Sequence, residues 1–121
     1  MSKNAPEAIG PYSQGKEVGG FCFFSGQIAI EVSTGELIQS TFAAEVHQVM
    51  KNISHLLNDN ELSFEDLIKV NISLTDMSKF SHFNEIYSQY IVEPYPARAC
   101  VEVKGLPKNA NVEIEVIAYR K

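Results

Sequence analysis

The chain has 121 residues, 45% of them hydrophobic, and 10 Lys and Arg stand against 15 Asp and Glu for a formal net charge of -5. That length fits one domain over residues 1–121 and excludes two. The composition excludes a disordered chain, and scattered basic residues on an acidic chain argue against nucleic acid as a partner, since neutralising phosphates needs clustered Lys and Arg. Such a chain buries roughly two-thirds of its unfolded surface, so a small-molecule site belongs in a surface cleft or is completed by a second subunit. Cys22 and Cys100 lack metal-site spacing and read as two reduced thiols. Met1 to Pro6 contains no apolar leader and no window approaches a membrane span, so the expected setting is cytoplasmic, with no membrane partner.

Residues up to about Gln14 carry Pro6, Gly10 and Pro11 and read as an ordered arm. Lys16 to Val18 and Phe21 to Ile30 read as strands joined at Gly19-Gly20, a pair suited to the positive φ of a tight hairpin. Ser33-Thr34-Gly35 is a turn before a short strand at Glu36 to Ile38. From about Ser40 the period becomes helical. Phe42, Val46, Val49, Met50, Ile53 and Leu57 share one face, while Glu45, Gln48, Lys51 and Asn52 fall largely on the other. Ser40 or Thr41 caps this helix, and Asn58-Asp59-Asn60 ends it. Ser63 to Asp66 resembles a capping box. Ile68 to Leu74 alternates as a half-buried strand. A second helix from about Ser78 carries Phe80, Phe83, Tyr87 and Tyr90, and Pro94 and Pro96 stop it. A strand over Ala99 to Val103, a turn over Gly105 to Asn109 and a strand over Val112 to Tyr119 close the chain. The order β-β-β-α-β-α-β-β predicts an α+β fold, a mixed sheet with both helices on one face.

In the last strand Val112, Ile114, Val116 and Ala118 share the face expected to meet the helices. Glu113, Glu115, Ile117 and Tyr119 occupy the other. A helix-free face of that kind is suited to cover by another subunit, so a homo-oligomer is expected.

Arg98, Cys100 and Glu102 alternate onto one face of their strand. Arg98 fits an ion pair with a neighbouring strand's Glu, or a bidentate fork for a substrate carboxylate. Glu115 sits in a strand interior, where Glu is disfavoured unless its side chain reaches water or has a use. Glu113 shares its face, and periodicity does not choose between them. His47, His55 and His82 show no ligand spacing, so no metal is expected. No glycine-rich phosphate loop appears, so no cofactor is expected, and Ser25-Gly26 lacks the flanks of a nucleophile elbow.

Four segments together carry a resemblance. They are Ala8-Ile9-Gly10-Pro11-Tyr12-Ser13-Gln14, Ser25-Gly26-Gln27, Pro96-Ala97-Arg98-Ala99-Cys100-Val101-Glu102-Val103, and Leu106-Pro107-Lys108 leading into Val112-Glu113-Ile114-Glu115. In order and spacing they resemble the Rid (YjgF-type) family of small trimeric proteins with a chorismate-mutase-like fold. The likeness includes Thr75-Asp76-Met77 and Asn84 in the second helix. It implies a homotrimer that hydrolyses 2-imino and enamine acids such as 2-iminobutanoate and 2-iminopropanoate, by-products of pyridoxal-phosphate enzymes, to 2-oxo acids and ammonia. It also implies that Arg98 holds the substrate carboxylate with main-chain groups of Ala99 and Cys100, that Glu115 positions the water, and that Tyr12, Ser25, Gly26 and Asn84 line an inter-subunit cleft. Glutamate is a weak base at neutral pH, which favours orienting a water and stabilising an iminium over abstracting a proton. Val70-Asn71 departs from the two threonines many members carry there, and Asn71 is expected near the cleft's floor. The alternative is a non-catalytic module that senses small carboxylates in the same cleft. Relatives have been described as ribonucleases, a reading that the acidic balance and the lack of a catalytic His pair weaken.

Overall fold

The first helix, α1 (Phe42–Asp59), starts where Thr41 leaves helical geometry and its Oγ1 accepts from the Ala44 N–H at 3.0 Å. Thr41 is therefore the cap, satisfying one of the donors that a helix start leaves unpaired. Val46, Val49, Met50, Ile53, Leu56 and Leu57 are buried along one face, each worth roughly 1.5–3 kcal/mol for leaving water. Described here by a computed structural model, the chain is defined over residues 2–121, and Met1 of the N-terminal stretch lies outside the described residues. No helix of these residues is long and apolar enough to cross a membrane.

The strands are β1 (Gly15–Val18), β2 (Phe21–Phe24), β3 (Leu67–Leu74), β4 (Ala97–Glu102) and β5 (Val112–Tyr119), and the second helix is α2 (Phe80–Tyr87). They form one five-stranded sheet in the order β1-β2-β5-β3-β4. All neighbours are antiparallel except β3 and β4, which run parallel. α2 supplies the crossover that a parallel pair requires. Gly19 and Gly20 make the β1–β2 turn at φ +56 and +85, which a side chain would disfavour. Phe24, Val70, Ile72, Leu74, Val112, Ile114, Val116 and Ala118 join the helix residues in a single core. The mixed α+β sheet with both helices on one face is as expected.

The order differs by one strand. It is β-β-α-β-α-β-β: Glu36 to Ile38 contributes only an isolated bridge between Leu37 and Ile30. β2 also ends at Phe24, not Ile30. Gln27 returns to the sheet only through an isolated bridge to Ile114, and the segment beyond it is held by Asn52. Expected on the solvent side of α1, it is fully buried, and its Nδ2 donates to the carbonyls of Ile28 and Ile30 at 3.1 and 2.9 Å. A side chain thus satisfies carbonyls that a longer ladder would have used. Glu45 likewise turns inward. It accepts from the Asn111 main-chain N–H at 2.7 Å and from Asn111 Nδ2 at 2.8 Å, fixing the entry to β5. α2 is shorter than the aromatic stripe suggested, because a 3-10 turn (Met77–Lys79) precedes it and Tyr90 lies beyond its end. β4 begins two residues early, at Ala97, so Arg98 lies within the ladder opposite Val70.

Candidate active site

On the helix-free face, the acidic residues of β5 meet the N-terminal arm. Gln14 fixes that arm: its Nε2 donates to the Pro6 carbonyl at 2.7 Å, and its Oε1 accepts from the Ser2 N–H at 2.7 Å. Ser25 ties the arm to the end of β2, donating from Oγ to the Ser13 carbonyl at 2.6 Å and from N–H to the Gln14 carbonyl at 2.9 Å. Tyr12 is thereby held over the sheet with its ring half exposed, and it lines a cleft of about 460 Å³ with Ser25, Phe23, Asn71 and Glu115. Asn71, opposite Glu115 across β3 and β5, donates from Nδ2 to Glu115 Oε1 at 3.1 Å.

An adjoining hollow of about 450 Å³ holds Gly26, Lys108 and Glu113, and shares Tyr12 and Ser25 with the first. Gly26 is required by its neighbour. A methyl group placed on it would lie 2.9 Å from Glu113 Cδ and 3.2 Å from Glu113 Oε1. Glu113 is half-buried, and burial pushes its carboxyl pKa above the usual carboxylate range, with the charge of Glu115 adding to the rise. The two carboxylates therefore differ. Glu115 is exposed and held by Asn71, whereas Glu113 is half-buried and packed on Gly26.

Arg98 stands elsewhere. In register with buried Val70, it projects from β4 toward the helices. Its Nη1 donates to Asn84 Oδ1 on α2 at 2.6 Å. The guanidinium carbon lies 5.2 Å from the ring centre of Tyr87 and 5.5 Å from that of Phe80, within range of cation–π attraction. Among the described residues, no carboxylate pairs with Arg98, and Nε and Nη2 meet no acceptor. The ion pair considered from the sequence is not formed among the described residues. Cys100, next along this face, has its thiol pKa pushed up by burial, with the Arg98 charge opposing more weakly. That thiol stays protonated and is a poor nucleophile. β4 is an edge strand, so main-chain groups around Ala99 and Cys100 remain available along its free side.

The predicted site residues thus fall into two groups. Tyr12, Ser25, Gly26 and Glu115 line the two adjoining hollows of the open face, while Asn84 and Arg98 meet on the helix face at the sheet edge, with Cys100 two residues further along β4. β3 separates β4 from β5, and the hollow beside Arg98 shares no lining residue with the two hollows beside Tyr12. The histidines join neither: His47 Nδ1 bonds Tyr90 Oη at 2.6 Å, His55 Nδ1 bonds the Asn4 carbonyl at 2.7 Å, and His82 packs on Phe42. Periodicity leaves Glu113 level with Glu115, and the aromatic bed of Arg98 has no local signal in the sequence, because each depends on contacts between separate segments.

This fold and these segments match known proteins along nearly their whole length. The family model described as endoribonuclease L-PSP, which covers the YjgF and Rid proteins, matches residues 2–120. The chain belongs to the Rid family. A RutC family protein of Pyrococcus horikoshii is 44% identical over 121 residues, covering 100% of this chain and 96% of that protein. RidA from an Antarctic Psychrobacter shares the fold at a TM-score of 0.93 with 43% identity, covering 98% of this chain and 96% of its own. Escherichia coli TdcF, solved with bound serine, matches at a TM-score of 0.92 with 36% identity, covering 100% of this Rid chain and 97% of that one.

Proposed function

We propose that this Rid protein hydrolyses reactive 2-imino and enamine acids to 2-oxo acids and ammonia, in clefts formed between copies of the chain. The observation that carries the reading is Arg98. Its orientation is fixed by Asn84, Tyr87 and Phe80, and among the described residues no carboxylate pairs with its guanidinium. That guanidinium matches a substrate carboxylate, and such charge-assisted bonds contribute roughly 1.5–3 kcal/mol each. The serine held by TdcF is a ligand of this chemical class, an acid with nitrogen on its α-carbon.

The acidic half comes from a second copy. The exposed face bearing Phe21, Phe23 and Tyr119 suits burial between copies, and the family resemblance points to a trimer in the cytoplasm. Glu113 and Glu115 favour the cationic iminium. Water adds to the C=N carbon, a proton moves to nitrogen, and the tetrahedral carbinolamine collapses to the C=O product and ammonium. Of the two carboxylates, Glu113 is better placed than Glu115 to hold the water, because it packs against Gly26 and its raised pKa brings it closer to accepting and returning a proton at neutral pH. Glu115 then acts as a fixed negative charge. Imines are electrophilic without activation, so positioning alone supplies useful rate.

The test is a coupled assay with a freshly generated imino acid. Wild type should accelerate 2-oxo acid formation and Arg98→Ala should not, while both keep the same oligomeric state. Full activity in Arg98→Ala would overturn the proposal. Carboxylate binding that depends on Arg98 without any acceleration would assign the same cleft to sensing.

A further inference from the structure

Beside Arg98 lies a hollow of about 370 Å³ whose walls are Tyr87, Ser88, Ile91, Tyr95 and Pro96, and of these the proposed hydrolysis uses only Tyr87, as part of the bed of Arg98. Its size falls within the range of small-molecule sites, which are mostly apolar and have few polar groups. Arg98 and Asn84 supply the polar end. Asn84 Oδ1 is already occupied by Arg98 Nη1 at 2.6 Å, so Asn84 offers a ligand only its amide N–H groups, and the guanidinium is the charged group at this end. Tyr87 and Ile91 are buried in the core and give a rigid floor. Tyr95 is 69% exposed, an aromatic left in water at the rim.

We infer that this hollow receives the side chain of the substrate, and that it selects 2-imino acids with aromatic or large branched substituents over the smallest ones. This rests on the proposed role of Arg98 as carboxylate anchor. Because Arg98 forms part of the wall, a carboxylate on its free edge leaves the rest of the ligand at the mouth of the hollow. A methyl or ethyl group leaves most of about 370 Å³ unfilled, forfeiting contacts on every side. A phenyl ring meets Tyr87 and Tyr95 in the offset or edge geometry that aromatic pairs prefer. Positive charge at one end and aromatic walls at the other together specify an aryl-substituted small acid.

The experiment measures binding of two stable 2-oxo acids, phenylpyruvate and 2-oxobutanoate, by calorimetric titration of the full chain. Three variants accompany wild type. Tyr95→Ala removes an exposed wall, Ser88→Trp fills the hollow from an exposed position, and Arg98→Ala removes the anchor. Wild type should bind phenylpyruvate at least about tenfold more tightly than 2-oxobutanoate, and the ratio should fall toward one in both Tyr95→Ala and Ser88→Trp. Equal binding of the two acids by wild type, or a preference that survives both substitutions, would overturn the inference. Binding of both acids that survives Arg98→Ala would instead remove the anchor, and this inference with it. A preference that depends on Arg98 and on the hollow supports it whether or not turnover is observed.

Discussion

Asn84 accepts a hydrogen bond from Arg98 at 2.6 Å across the gap between α2 and β4. One amide thus holds the guanidinium at this sheet edge, while its Nε and Nη2 meet no acceptor among the described residues. The bond uses a neutral acceptor, so it orients Arg98 without neutralising it.

Asn84→Ala should therefore weaken carboxylate binding about tenfold by freeing Arg98 to rotate, with kcat less affected than KM. Asn84→Asp should be more damaging, since a carboxylate would occupy the guanidinium that the substrate needs. Steady-state kinetics of the two variants separate orientation from charge.

Gly26→Ala should separate activity from stability. The added methyl meets the Glu113 side chain at 2.9 Å, and a flexible carboxylate can move aside, so the stability cost should stay below about 1 kcal/mol. Moving that carboxylate should lower turnover by about tenfold or more. A denaturant titration and the imine assay read the two effects independently.

Glu113 carries a pH signature. Burial, then the charge of Glu115, raises its folded pKa, so the folded state holds the proton more tightly than the unfolded one. Stability contributed by Glu113 is then fully present below the unfolded pKa and is lost as pH rises through the folded pKa. Glu113→Gln should be more stable than wild type at neutral pH, with the advantage vanishing in acid, and it should lose most activity. Melting curves across pH test the first point, and an advantage that persists in acid would contradict it.

Much of this arrangement is legible in the residues themselves. The 3.6-residue spacing from Phe42 to Leu57 specifies α1, the alternation from Val112 to Tyr119 specifies β5 and its buried face, and Gly19-Gly20 specifies the hairpin. What periodicity misses is long-range polar pairing. Asn52 and Glu45 sit among polar helix positions, yet each is buried because its partner, a loop carbonyl or Asn111, arrives from elsewhere in the chain. The same holds at the site. Glu113 and Glu115 are equivalent by alternation, and contacts from other segments distinguish them, Gly26 against Glu113 and Asn71 on Glu115. Arg98 suited an ion pair by residue type, but the side chain that reaches it is an asparagine.

Glu45 offers a stability test away from the site. It is fully buried and accepts two hydrogen bonds from Asn111. Glu45→Ala should destabilise by about 2–4 kcal/mol, through an unmet buried N–H and a cavity. Glu45→Gln, which keeps one acceptor, should lose less. Urea unfolding of both variants checks the order.

The central claim is that the Arg98 half of the site on one copy works with the Glu113 half on another. Arg98→Ala and Glu113→Gln chains, each inactive alone, should regain activity when unfolded together in equal amounts and refolded as mixed oligomers. Random assembly makes both halves of a given cleft wild type in about one quarter of cases, so about a quarter of wild-type activity is expected. Mixed oligomers no more active than either parent would contradict the shared cleft.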